Sequence, residues 1–154
     1  ALRIVQIHSR DNGRTPMQWD DSAYAGFTSA DSKKPWIGVN GNYPRVNAAS
    51  QLADPDSIFR YYQKLIALRK EVDVIAFGDI EPLAESHPSV FAYRRTYEGH
   101  ELIVAANFYG RECSWKSAPD LSGFKKLIGN YSEGSVPYNG KWTLKPYETQ
   151  VWYK

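Results

Sequence analysis

The texture of the chain changes at Asp73, and that change limits the possible folds more than any other feature. Beyond it, short runs rich in β-branched and aromatic residues are separated by turn residues. Strands are therefore expected near 74–77, 79–84, 90–96, 101–107, 111–115, 125–130, 141–144 and 149–153. Tyr97-Glu98-Gly99-His100, between two strong runs, reads as a hairpin turn, and Asn139-Gly140 ahead of Lys141-Trp142-Thr143-Leu144 reads as another. Ile103-Val104-Ala105-Ala106 is apolar on both faces and is expected to be a central strand covered on both sides. Eight short strands in about 80 residues point to an antiparallel sandwich or an open barrel.

The chain before Asp73 has a different pattern. Asp54-Pro55 offers a helix N-cap followed by proline at the first helical position, and Asp56 adds negative charge to the first turn. Ile58, Tyr61, Tyr62, Leu65, Leu68 and Arg69 then fall on one stripe, so a helix is predicted from about 55 to 71. Lys64, Arg69 and Lys70 lie towards its C-terminal half, where positive charge suits the helix dipole. Residues 9–55 hold no sustained period and are punctuated by glycine and proline; an irregular stretch of that length is usually functional or disordered. Residues 1–8 are too short to assign by period. They carry no initiating Met and open inside an apolar segment without an N-cap, so residue 1 reads as a cut.

Charge and cysteine usage remove several classes of function. The 154 residues carry a formal net charge of +2 with Lys and Arg scattered, which leaves no electrostatic footprint for nucleic acid or for an anionic membrane. There is no run of 18 apolar residues to span a membrane, and no small-residue cleavage site follows the first eight residues, so the expected compartment is the cytoplasm. Cys113 stands alone, excluding an internal disulfide and a multi-cysteine metal site, and reads as a small packing residue. His8, His87 and His100 lack ligand spacing, Asp54–Asp56 lacks the ligand alternation of a calcium loop, and no glycine-rich phosphate motif is present, so no metal or other cofactor is expected.

Polar chemistry concentrates in Ser9-Arg10-Asp11-Asn12-Gly13-Arg14-Thr15-Pro16-Met17-Gln18-Trp19-Asp20-Asp21, where two guanidiniums, three carboxylates, two amides and an indole share one turn-rich loop. Such loops display function disproportionately, the alternative being local pairing of Arg10 or Arg14 with Asp11, Asp20 or Asp21. The loop resembles the active-site loop after the last barrel strand in the oligo-1,6-glucosidase group of the α-amylase clan, which includes trehalose-6-phosphate hydrolases. The resemblance continues through Ala25-Gly26-Phe27-Thr28, Pro35-Trp36-Ile37, Asn42-Tyr43, Val46-Asn47, Asp56-Ser57-Ile58-Phe59 and Lys64-Leu65-Ile66-Ala67-Leu68-Arg69-Lys70. It reaches Val90-Phe91-Ala92-Tyr93, Ile103-Val104-Ala105-Ala106-Asn107-Phe108 and Leu144-Lys145-Pro146-Tyr147-Glu148.

That resemblance implies a mainly β chain: a C-terminal antiparallel β-sandwich (73–154) preceded by the last helix (56–72) and the last active-site loop of a (β/α)8 barrel, within a barrel-edge segment (1–55). A whole barrel needs about 200 residues or more, so the rest of the barrel is an expected partner. A retaining glycosidase requires two carboxylates about 5 to 5.5 Å apart; the family's catalytic groups match nothing here, so no catalytic residue is assigned and the chain alone is expected to be inactive. The family's two loop arginines fall on Arg10, at the subsite for the non-reducing glucose, and on Arg14, nearer the leaving-group sugar. A guanidinium has five fixed donors, enough to hold a barrel carboxylate and a sugar hydroxyl together. The implied activity is retaining hydrolysis of terminal α-glucosidic bonds, α-1,6 first, in short oligosaccharides.

Other readings stay open at this point. Gly13 stands where family members commonly have Ala or Ser, although trehalose-6-phosphate hydrolases also show Gly, and one residue does not assign a substrate. Aromatics make up 14% of the chain. Trp19, Phe27 and Trp36 could stack on sugar or wedge the loop against the barrel, and Trp115, Trp142 and Trp152 could form a sugar platform, with core packing favoured. A non-catalytic carbohydrate-binding module and an interaction scaffold are the rival functions.

Overall fold

Glu98 and Gly99 adopt φ values of 49° and 84°, the left-handed pair that lets a two-residue turn follow the twist of the strands it joins. They connect the longest hairpin of the structure, a computed structural model that describes residues 3–4 and 8–154. The chain divides into two units, Ala1–Ile66 and Ala67–Lys154, and the hairpin belongs to the second. Among the described residues that unit contains the strands β1 (Asp79–Pro82), β2 (Val90–Tyr97), β3 (His100–Asn107), β4 (Cys113–Lys116), β5 (Lys125–Gly129), β6 (Lys141–Leu144) and β7 (Thr149–Tyr153). They form a five-stranded sheet in the order β1-β2-β3-β7-β5 and a two-stranded sheet β4-β6, with every pairing antiparallel.

The register explains how the sheet buries apolar groups on two faces. Residues paired across strands share a face, and successive residues alternate. Val90, Ala92, Ile103 and Ala105 therefore point one way and meet Trp115, Trp142 and Leu144 of the two-stranded sheet in one buried cluster. Trp115 and Trp142 are direct cross-strand partners whose rings stack at 6.2 Å with 19° between planes. At 4% and 0% exposure they belong to the core, and Trp152 packs against the same cluster, so the sugar platform weighed for these three residues is not formed. Cys113 also lies against this cluster; burial, then Glu112, pushes its thiol up. On the opposite face lie Phe91, Tyr93, Arg95 and Tyr97, paired with Ala106, Val104, Leu102 and His100.

The run 74–77, expected as a strand, is the helix Asp73–Phe77. Its residues are β-branched and aromatic, but Asp73 supplies negative charge at the first turn and Val74, 1% exposed, is buried. The helix packs on β2 and β3, with the Phe77 ring 5.8 Å from Tyr97 and the Arg95 guanidinium donating to the Gly78 carbonyl. Tertiary burial thus outweighs local propensity. The longer helix runs Ile58–Glu71, so Asp54-Pro55 is not its start. Asp54 Oδ1 instead accepts the Asp56 N–H, and Ser57 Oγ accepts from Arg60 N at 3.2 Å, placing the cap later. The predicted stripe contains Ile58, Tyr62 and Leu65, all exposed. Of residues 1–8, Arg3, Ile4 and His8 are helical; Ala1, Leu2, Val5, Gln6 and Ile7 lie outside the described residues.

Residues 130–140 contain no strand, and a buried carboxylate organises them. Glu148, 0% exposed, accepts from Ser135 N at 2.9 Å, Ser135 Oγ at 3.0 Å, Lys145 N at 2.7 Å and Gln150 Nε2 at 2.7 Å. Trp142 Nε1 donates to Ser135 Oγ at 3.0 Å, and Trp152 Nε1 to Gln150 Oε1 at 3.0 Å. Burial pushes the Glu148 carboxyl up, but the donors outweigh it and hold the group below the ordinary glutamate range. Its stabilising contribution is therefore complete above the unfolded value of about 4.3 and is lost as pH falls through the lower folded value. Glu148→Ala is expected to lower the unfolding free energy by about 3 kcal/mol or more, since it orphans buried donors. In urea melts followed by tryptophan fluorescence, the gap between wild type and Glu148→Gln is expected to narrow from pH 6 to pH 3.

Candidate functional site

The arginine-bearing loop folds around its own short polar side chains. Arg10–Gly13 forms a 3-10 turn whose N-cap, Ser9, accepts the Asp11 N–H on its hydroxyl at 3.3 Å. Asn12 N donates to Ser9 O at 3.2 Å and Arg14 N to Asp11 O at 3.0 Å, so Arg10 opens the turn and Arg14 closes it. Both are exposed. Among the described residues neither guanidinium has an ion-pair partner; the ion pairs there are Arg94 with Glu81 and Glu101, and Lys154 with Glu101. Pairing of Arg10 or Arg14 with Asp11, Asp20 or Asp21 is thus not formed. Asp20 accepts from the hydroxyl and N–H of Ser22, which hold its carboxyl below the ordinary range against a small opposing effect of burial.

The rest of the loop is fixed by contacts distant in sequence. Gln18 Nε2 donates to Asn42 Oδ1 at 3.0 Å and to the Val46 carbonyl. The carbonyls of Gln18 and Trp19 each accept at 2.9 Å from Ala48 N and Ala49 N, the first amides of the helix Ala48–Ala53, which would otherwise lack intrahelical partners. That helix begins with a capping box in which Asn47 Oδ1 accepts from Ser50 N at 2.8 Å and Ser50 Oγ accepts from Asn47 N at 3.3 Å. Asn47, 6% exposed, also donates to Tyr43 O at 2.8 Å. The sequence around Gln18 and Asn47 looks like loop; only the bonds of Gln18 to Asn42 and Val46, and of Asn47 to Tyr43 and Ser50, reveal them as the groups that hold it.

Tyr24, Ala25 and Gly26 are consecutive left-handed residues, with φ of 53°, 58° and 65°. Each non-glycine there costs about 1–2 kcal/mol. Trp19 N at 2.8 Å and Asp20 N at 3.3 Å donate to the Ala25 carbonyl, and Ala25 is 0% exposed. A Cβ on Gly26 would lie 2.6 Å from the Asp20 carboxylate oxygens, so glycine is required by space as well as by φ. Gly26 was the only sign of this bend available in the sequence. Trp19, Phe27 and Trp36 are 53%, 49% and 99% exposed, leaving their rings uncovered. The structure thus places Arg10 and Arg14 on one hydrogen-bonded, solvent-exposed turn. Among the described residues no group of three or more His, Cys, Asp or Glu could hold a metal ion, and no helix is long and apolar enough to cross a membrane.

Comparison with known proteins fits this geometry to a family. Oligo-1,6-glucosidase of Bacillus cereus is 43% identical over 153 residues, covering 98% of this chain and 27% of that protein. Trehalose-6-phosphate hydrolase of Escherichia coli (strain K12) is 38% identical over 151 residues, again 98% of this chain and 27% of the relative. The crystal structure of Bacillus licheniformis trehalose-6-phosphate hydrolase matches with a TM-score of 0.84 at 41% identity, over 98% of this chain and 27% of that one. The chain therefore spans about 27% of the length of these relatives. The family description "Alpha amylase, catalytic domain" fits residues 2–78, half the chain, and the protein belongs to the alpha-amylase family.

Proposed function

We propose that this chain is the C-terminal portion of a retaining α-glucosidase that hydrolyses terminal α-glucosidic bonds of short oligosaccharides, α-1,6 bonds first. The observation that carries this reading is the turn Arg10–Gly13 with Arg14 behind it, two exposed guanidiniums with no carboxylate partner among the described residues. Cations left free on an ordered loop are suited to ligands supplied from elsewhere, here a carboxylate of the barrel and the hydroxyls of glucose. Arg10 orients the non-reducing glucose for attack, and Arg14 contacts the leaving-group sugar. The nucleophile and the acid/base carboxylate are assigned to the part of the protein that the relatives carry beyond this stretch. Residues 1–72 then contribute the barrel edge and its last helix, and the two sheets around one cluster serve as the C-terminal β-sandwich.

A second reading, trehalose-6-phosphate hydrolysis, is favoured by a relative of that name in Bacillus subtilis (strain 168), 41% identical over 153 residues. Steady-state kinetics of the intact enzyme on isomaltose and on trehalose 6-phosphate separate the two: the first reading expects the higher kcat/KM on isomaltose. Arg10→Ala in the intact enzyme is expected to lower kcat/KM at least tenfold, about 1.4 kcal/mol of transition-state binding; unchanged kinetics would return Arg10 to a structural role. The 154-residue chain alone is expected to release no p-nitrophenol from p-nitrophenyl α-glucoside, and turnover there would place catalytic carboxylates within it.

A further inference from the structure

An asparagine followed by glycine is chemically labile. With no Cβ on the glycine to hinder it, the glycine amide nitrogen reaches the asparagine Cγ, and the side-chain amide is lost. Three such pairs occur in the chain, Asn12-Gly13, Asn40-Gly41 and Asn139-Gly140, and the structure holds them differently. Gly13 lies inside the 3-10 turn Arg10–Gly13, flanked by bonds from Asn12 N to Ser9 O at 3.2 Å and from Arg14 N to Asp11 O at 3.0 Å. Asn139 and Gly140 are fixed in the left-handed region, at φ of 48° and 71°, by reciprocal bonds between Tyr138 and Lys141 at 2.8 and 3.0 Å, and Gly140 O accepts Ala118 N at 2.9 Å. Asn40 and Gly41 are exposed, and among the described residues the Gly41 N–H makes no hydrogen bond. Asn40 Oδ1 accepts the Asn42 N–H at 3.4 Å. That bond curls the side chain across the Gly41 peptide and aims a donor at the oxygen on which negative charge develops during attack.

We propose that Asn40-Gly41 is a site of spontaneous deamidation that loosens the arginine loop. Gly41 N bonds to Asn40 Cγ, the Cγ–Nδ2 bond breaks, and the amide nitrogen leaves as ammonia with the proton from Gly41 N. Water then opens the cyclic imide at either carbonyl, leaving aspartate or a β-linked aspartate, whose main chain runs through the former side chain. The β-linked product inserts a methylene into the backbone two residues before Asn42. Asn42 Oδ1 and the Val46 carbonyl are the acceptors of Gln18 Nε2, and Asn42 O accepts Arg45 N and Val46 N, each at 3.0 Å. The turn that fastens Gln18 therefore starts at the peptide that rearranges, and its displacement releases the loop bearing Arg10 and Arg14. The chemistry at Asn40 stands by itself, whereas its effect on turnover rests on the functional reading of those arginines.

The test holds the intact enzyme in warm, mildly alkaline buffer and samples it for peptide mass spectrometry and for isomaltose turnover. The Gly41→Ala enzyme is the control: a Cβ there meets nothing within 4 Å and the φ of Gly41 lies outside the left-handed region, so the fold accepts it while the added carbon hinders attack. Wild type is expected to convert amide to acid at Asn40 before Asn12 and Asn139, as two products of equal mass, with kcat/KM falling in step with the converted fraction. Gly41→Ala is expected to keep both its Asn40 amide and its turnover over the same period. Conversion first at Asn12 or Asn139, no conversion at Asn40, or equal conversion in Gly41→Ala overturns the site. Conversion at Asn40 with unchanged turnover, or equal loss of turnover in Gly41→Ala, overturns its coupling to the loop. A wild-type protein with no α-glucosidase activity at the outset sinks the functional reading instead, and the peptide map is still scored.

Discussion

The carboxylate of Glu148 is the interaction on which the second unit depends. Removing a charged group from water costs several kcal/mol unless its lone pairs are used, and here they are used by neutral donors, with no cation among them. Because two donors are backbone amides, the charge fixes chain position as well as side chains. Ser135 is held at both its N–H and its hydroxyl, and it in turn receives the Trp142 indole. The tryptophan at the centre of the core is thereby tied to the irregular segment that passes it. Gly134 belongs to the same arrangement, since a Cβ there would lie 2.6 Å from the Gln150 side chain.

Asn107 does comparable work at the end of β3. Buried to 2% exposure, it donates through Nδ2 to the carbonyls of Arg111 and Lys145, each at 2.8 Å, and accepts the Tyr109 N–H at 3.0 Å. Its own N–H reaches the Glu148 carbonyl at 2.8 Å. Two polar side chains thus supply partners that strand pairing cannot, and the segments 108–112 and 145–148 are closed against each other. Fully satisfied buried polar groups of this kind specify one arrangement because every alternative leaves a donor or acceptor unmet.

What the sequence disclosed follows the range of the interactions involved. The β2–β3 hairpin was legible because its information is local: two apolar runs and a Gly at the position needing positive φ. Asn139-Gly140 was legible for the same reason, with φ of 48° and 71°. The helix Asp73–Phe77 was not, since its β-branched residues favour a strand and only the burial of Val74 reverses the preference. The cap was displaced from Asp54 to Ser57 because the Ser57 hydroxyl donates to Gln51 O at 2.6 Å while accepting from Arg60, a link to the preceding helix that no capping rule contains. In the loop that carries Arg10 and Arg14 the turn residues were legible and the contacts that hold it were not, because Gln18 meets Asn42 and Val46 across long sequence intervals.

The exposed apolar surfaces have a common reading. The helix Ile58–Glu71 contains no buried residue, and Ile58 is 83% exposed, although its periodicity is that of a helix packed on one side. The sheet has the same mismatch between Phe91 and Phe108. A sequence patterned for burial is thus folded with that surface uncovered among the described residues. The exposed guanidiniums of Arg10 and Arg14 are its polar counterpart: the loop spends glycine, left-handed turns and long-range hydrogen bonds on fixing two cations whose anions it does not provide.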